Sequence, residues 1–101
     1  MRINDKKQLY ELLHECRGAL QKLGVRRLGI FGSFARNASQ YESDIELLVE
    51  FIPGMKNFDN FMEIANLIED RSGRDADIVT LEGLSPHIGP HILEEVEFIA
   101  F

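Results

Sequence analysis

Asp44 and Glu46 stand two residues apart at the start of an otherwise apolar run, DIELLVEF. Successive side chains on a strand point to opposite faces, so these two carboxylates project from one face with backbones roughly 6.5–7 Å apart. So placed, both can converge on one cation, or on two cations about 3.5–4 Å apart as in two-metal catalysis. Hard oxygen donors of this kind suit Mg²⁺ or Mn²⁺. Zinc is disfavoured, because the chain has one Cys and its three His form no clean cluster.

Ten residues separate this acidic pair from Gly32-Ser33, where a strand turns into the start of SFARN, read as one helical turn. That is the chemistry of an anion site: glycine lets the backbone approach a phosphate, exposed N–H groups point at it, and the Ser33 hydroxyl adds a donor. A third carboxylate, Asp77 in DADIVT, fits a strand that could lie beside the first two acids. It could complete a metal shell or accept a proton from an attacking hydroxyl. Asp75 competes for this place, but Asp77 is preferred because the apolar Ile78-Val79 that follows embeds it in a sheet.

The elements that must hold these residues can be read from apolar spacing. Leu9, Leu12, Leu13, Cys16, Leu20 and Leu23 recur at three- and four-residue steps, predicting a helix over residues 5–22 that ends at Gly24. VRRLGIF predicts a first strand, residues 44–51 a second and residues 75–80 a third. Between the last two, Phe58, Phe61, Met62, Ala65 and Ile68 predict a helix whose apolar stripe is core, with RSGR as its exit. A short helix starting near Pro90 and a final strand over residues 96–101 complete the reading. The expectation is a single α/β (α+β) domain over residues 1–101, a small mixed sheet with helices packed on it.

Composition excludes several classes. Apolar residues make up 45% of the 101 and charged residues 28%, as in folded globular proteins. The net charge of −6, with no basic stripe, argues against extended nucleic-acid binding. It does not argue against a nucleotide, since a bound divalent cation reverses the local field. With a charged N-terminal stretch and no apolar run near about 18 residues, a cytoplasmic protein is expected.

The string G-S, ten residues, D-x-[D/E], followed by an Asp on a later strand, resembles the polymerase β-like nucleotidyltransferases, and specifically their minimal (MNT) branch. The matching positions are Gly32, Ser33, Ala35 and Arg36, then Ser43 through Phe51, then Asp77-Ile78-Val79-Thr80. The resemblance implies the family's fold and a Mg²⁺-dependent transfer of a nucleoside monophosphate, from ATP as substrate, to a hydroxyl. It implies that Gly32 and Ser33 contact the triphosphate, that Arg36 reaches the phosphates or a partner, and that Asp44 and Glu46 hold metal. Asp77 would bind metal or activate the acceptor. Minimal members often act as antitoxins of a HEPN-type toxin, in some cases by adenylylating it. Two positions depart from the pattern: Glu46 where Asp is typical, and Asn37 where Gly is common. One extra methylene moves a ligand by about 1 Å, enough to cost about a hundredfold in rate. The rival expectation is therefore an interaction module that keeps the fold and neutralises its partner by binding alone.

Other residues carry plainer readings. His87 and His91 are read as capping or surface residues, because Gly89-Pro90 interrupts the helix that would align them. Cys16 is read as a buried thiol. Tyr41 is either surface or pocket wall. The apolar tail, VEFIAF, could cover the core or form an edge that pairs with another copy of the chain.

Overall fold

The computed structural model describes residues 2–99. Its centre is a sheet of four strands, β1 (Val25–Phe31), β2 (Ile45–Phe51), β3 (Ala76–Thr80) and β4 (Glu97–Ile99), in the order β3-β2-β1-β4. β1 runs antiparallel to both β2 and β4, whereas β2 and β3 are parallel. The last expected strand starts one residue later than predicted, at Glu97, and its final two residues lie outside the described ones.

The first expected helix is two: α1 (Lys6–Glu15) and α2 (Arg17–Lys22). Asp5 starts α1, its Oδ1 accepting from the Gln8 N–H at 2.8 Å. The break falls at Cys16, whose ψ of −1° interrupts helical winding, and it leaves Leu9, Leu13 and Leu20 all fully buried. Cys16 itself is buried, as expected.

The long connection from β2 to β3 contains α3 (Phe58–Ser72), the crossover that parallel strands require. Its buried line is Ile64, Ile68 and Ser72, with Phe61 and Leu67 packed partly against the core. This corrects the expected stripe: Phe58 is 74% exposed and Met62 also faces solvent. The two candidate stripes are neighbours sharing Phe61 and Ile68, and hydropathy cannot choose between Ile64 and Met62. Contact with the sheet makes the choice.

Ile45, Leu47 and Val49 of β2 join Leu28 and Ile30 of β1 and the helices in one hydrophobic cluster. Each such buried side chain contributes about 1.5–3 kcal/mol. The opposite face of β2 carries Glu46 and Glu50, both half-buried. α4 (Gly89–Glu95) leads into β4 and packs near that second face, where Gly29 leaves room for Val96. No helix among the described residues is long and apolar enough to cross a membrane.

Between β1 and β2, residues 33–37 form a turn closed by Asn37 at φ 55°. Asparagine tolerates this left-handed backbone better than most residues, so it closes the turn at small cost. Asn37→Ala should therefore destabilise the protein by about 1 kcal/mol, and Asn37→Gly should leave stability unchanged or slightly raised. Urea midpoints of the three proteins measure both.

Candidate active site

β1 ends where Gly32 takes φ +78°, a conformation that other residues adopt only with strain. A Cβ built there would lie 1.6 Å from Glu46 Oε2 and 3.3 Å from Glu46 Cβ. The backbone of Gly32 thus lies directly against the Glu46 carboxylate, and only glycine permits that approach. The segment after it is a single turn rather than a helix: Arg36 N–H donates to Gly32 O at 3.2 Å and Ala38 N–H to Ser33 O at 2.8 Å. So short a turn has no helix macrodipole. What it offers an anion is the amides of Ser33, Phe34 and Ala35, which precede its first internal hydrogen bond.

On the neighbouring strands the parallel register sets Glu46 opposite Asp77. Paired residues share a face, and adjacent strands lie about 4.8 Å apart, so these two carboxyl groups are forced into company. Asp75 does not share this position. It precedes β3 and spends its backbone carbonyl on the Ile45 N–H, at 2.9 Å. Asp44 stands at the mouth of β2, exposed to solvent.

A cleft of about 530 Å³ opens over this face, and Gly32, Arg36, Glu46 and Asp77 all line it. Ser33 and Asp44 are not part of its lining. The far wall was not foreseen: Ile88, His91, Ile92 and Glu95, from α4 and the residue before it, complete the cleft. Pro90 in the first helical turn starts α4 after His87 rather than interrupting it, which places His91 on the helix and in the cleft. Glu95 forms an ion pair with Arg36 across the opening. No signal in the sequence pairs residues 59 positions apart. Tyr41 is 79% exposed, stacked beneath the Arg2 guanidinium at 4.2 Å and outside the cleft lining.

Burial pushes the Glu46 carboxyl above its usual range, and repulsion from Asp77, Glu95 and Asp44 pushes it further; Arg36 works against them. Anionic oxygens therefore outnumber the one cation facing them. That donor set fits a hard divalent cation, and the unbonded amides of the turn after Gly32 suit an anionic ligand beside it. Among the described residues, no three acids, His or Cys already cluster as metal ligands. Glu46 and Asp77 are brought together by the fold; Asp44 is left at its margin.

Because folding raises the proton affinity of Glu46, the stability it contributes is greatest at acid pH and is lost as pH rises through the raised pKa. Glu46→Gln should accordingly melt higher than the wild type at pH 8 in metal-free buffer. The difference should close as pH falls toward the ordinary value of 4.5. Melting curves across pH 4–8 give the comparison.

A family model described as polymerase beta, nucleotidyltransferase, matches residues 14–100. Protein adenylyltransferase MntA of Thermococcus cleftensis is 32% identical over 81 residues, 78% of this chain and 79% of the relative. A solved structure described as a candidate minimal nucleotidyltransferase superposes with a TM-score of 0.80 at 28% identity, covering 96% of each chain. A toxin-antitoxin crystal structure with AMP-PNP has a TM-score of 0.66 at 17% identity, covering 92% of this chain and 70% of that one, and shares the fold. The family model spans most of the chain and a relative of 32% identity is covered to more than two thirds: the chain belongs to the polymerase beta nucleotidyltransferase family.

Proposed function

We propose that this chain transfers AMP from ATP to a hydroxyl on a partner protein, with Mg²⁺ or Mn²⁺ as the required cation. The partner is a HEPN-type toxin, which the modification neutralises. The observation that carries this reading is Glu46 set opposite Asp77 on parallel strands in a cleft that Gly32 and Arg36 also line. Similarity to a protein adenylyltransferase supports the reaction, and the fold shared with a toxin-antitoxin complex supports the partner.

In this reading the amides after Gly32 and the Ser33 hydroxyl donate hydrogen bonds to the triphosphate, and Arg36 balances its charge. Glu46 and Asp77, joined by Asp44, would hold the cation, which when bound neutralises charge on the phosphates. Asp77 takes the proton from the acceptor hydroxyl. The acceptor oxygen bonds to the α-phosphorus as the bond to the β-phosphate bridging oxygen breaks, and pyrophosphate leaves. In this reading Arg36 exchanges its ion pair with Glu95 for the phosphates when nucleotide binds.

A second reading is favoured by one observation: Asp44, expected to share the cation, is exposed at the mouth of β2 and does not line the cleft that holds Glu46 and Asp77. Together with Glu46 in place of Asp, this suits a module that neutralises its partner by binding alone. Incubation with α-labelled ATP, Mg²⁺ and the candidate toxin separates the two. The enzymatic reading predicts labelled toxin, lost by at least about a hundredfold in Asp44→Asn. Label that survives Asp44→Asn contradicts it, and activity present only in Glu46→Asp supports the binding module.

A further inference from the structure

Arg74 is a buried charged residue, 4% exposed, and among the described residues none of its hydrogen-bond partners is a carboxylate. Its guanidinium is spent on backbone instead. Nε donates to Ile3 O at 2.6 Å, and Nη1 to the carbonyls of Gln40, Tyr41 and Ser43 at 2.9, 3.2 and 2.7 Å. Nη2 reaches Asn4 Oδ1 at 3.4 Å. The face of the guanidinium lies 5.1 Å from the centroid of Phe34, a fully buried residue of the turn that follows Gly32.

These contacts converge on the parts of the site. Ser43 immediately precedes Asp44, Phe34 belongs to the phosphate-facing turn, and Arg74 itself lies three residues before Asp77 in the lead-in to β3. The loop 38–43 is also held by Ala38 N–H to Ser33 O at 2.8 Å, Ser43 N–H to Gln40 O at 3.1 Å, Ser39 Oγ to Asn4 O and Gln40 N–H to Ser43 Oγ, both at 2.8 Å, and by Arg2, which donates to Tyr41 O, but Arg74 alone among these gathers three of its carbonyls. A planar cation with five donors can gather several carbonyls at fixed angles, which an ammonium cannot. A buried arginine is also costly to keep in a short chain, so its geometry asks for a role.

We propose that Arg74 is a positioning residue: by clamping the carbonyls of residues 40–43 and backing Phe34, it fixes Asp44 relative to the Gly32 turn and Asp77. The proposal rests on the reading above for what Asp44 does, but the clamp can be tested without it. Arg74→Lys keeps the charge and loses the fork. Arg74→Ala leaves a space that added methylguanidine can refill.

Three measurements decide it. Hydrogen exchange at amides 40–45 should speed up at least tenfold in Arg74→Lys, while β1 amides keep their protection. Among folded molecules kcat for AMP transfer should fall ten- to a hundredfold with KM for ATP changed less than threefold, and methylguanidine should restore part of the loss in Arg74→Ala. Unaltered exchange overturns the proposal, as does a loss of activity that follows only the unfolded fraction. If the wild type transfers no AMP, the enzymatic reading fails by itself, and Arg74 is then judged by Mn²⁺ affinity. A tenfold weakening in Arg74→Lys upholds the clamp and unchanged affinity overturns it; where neither protein binds Mn²⁺, exchange at amides 40–45 alone decides, unaltered exchange overturning the clamp.

Discussion

Two like charges held opposite one another on parallel strands dominate this molecule. The register of β2 against β3 sets Glu46 directly across from Asp77, and the half-buried setting weakens the screening that water would supply. Such a pair is stable in a fold only if something relieves it: a proton, an arginine or a bound cation. The raised proton affinity of Glu46 records the first, Arg36 supplies part of the second, and the chemistry proposed for the site uses the third.

The sheet separates stability from chemistry by the alternation of a single strand. Ile45, Leu47 and Val49 turn to the helices and build the core, while Glu46, between them, turns to the cleft. A shift of one residue in the pairing of β2 would bury the acid and expose the core, so the hydrophobic pattern fixes the site's position as firmly as it fixes the fold. Gly32 then closes the arrangement from the β1 side, because any Cβ there would displace the Glu46 carboxylate.

What could be read from residues alone was the local part. Gly32, Ser33, Asp44 and Glu46 lie on one strand–turn–strand segment, where spacing in sequence is nearly spacing in structure. Preferring Asp77 to Asp75 rested on the Ile-Val that follows it, and the parallel register does set Asp77 across from Glu46. The tertiary part was not legible. α4 and Glu95 reach the cleft only through the β1–β4 pairing, Arg74 looks like an ordinary helix exit until the chain folds around it, and the α3 stripe is chosen by contact rather than by hydropathy. The break at Cys16 likewise leaves the apolar spacing of the first helix intact and therefore invisible.

The central claim is that the crowded acids beneath Gly32 form a cation site for nucleotide chemistry. Anomalous diffraction at the manganese edge, from crystals grown with Mn²⁺ and a non-hydrolysable ATP analogue, tests it most directly. The account predicts a manganese peak bonded to Glu46 and Asp77, with analogue phosphate oxygens against the turn after Gly32. A peak elsewhere on the surface, or an analogue bound away from that turn, would contradict it.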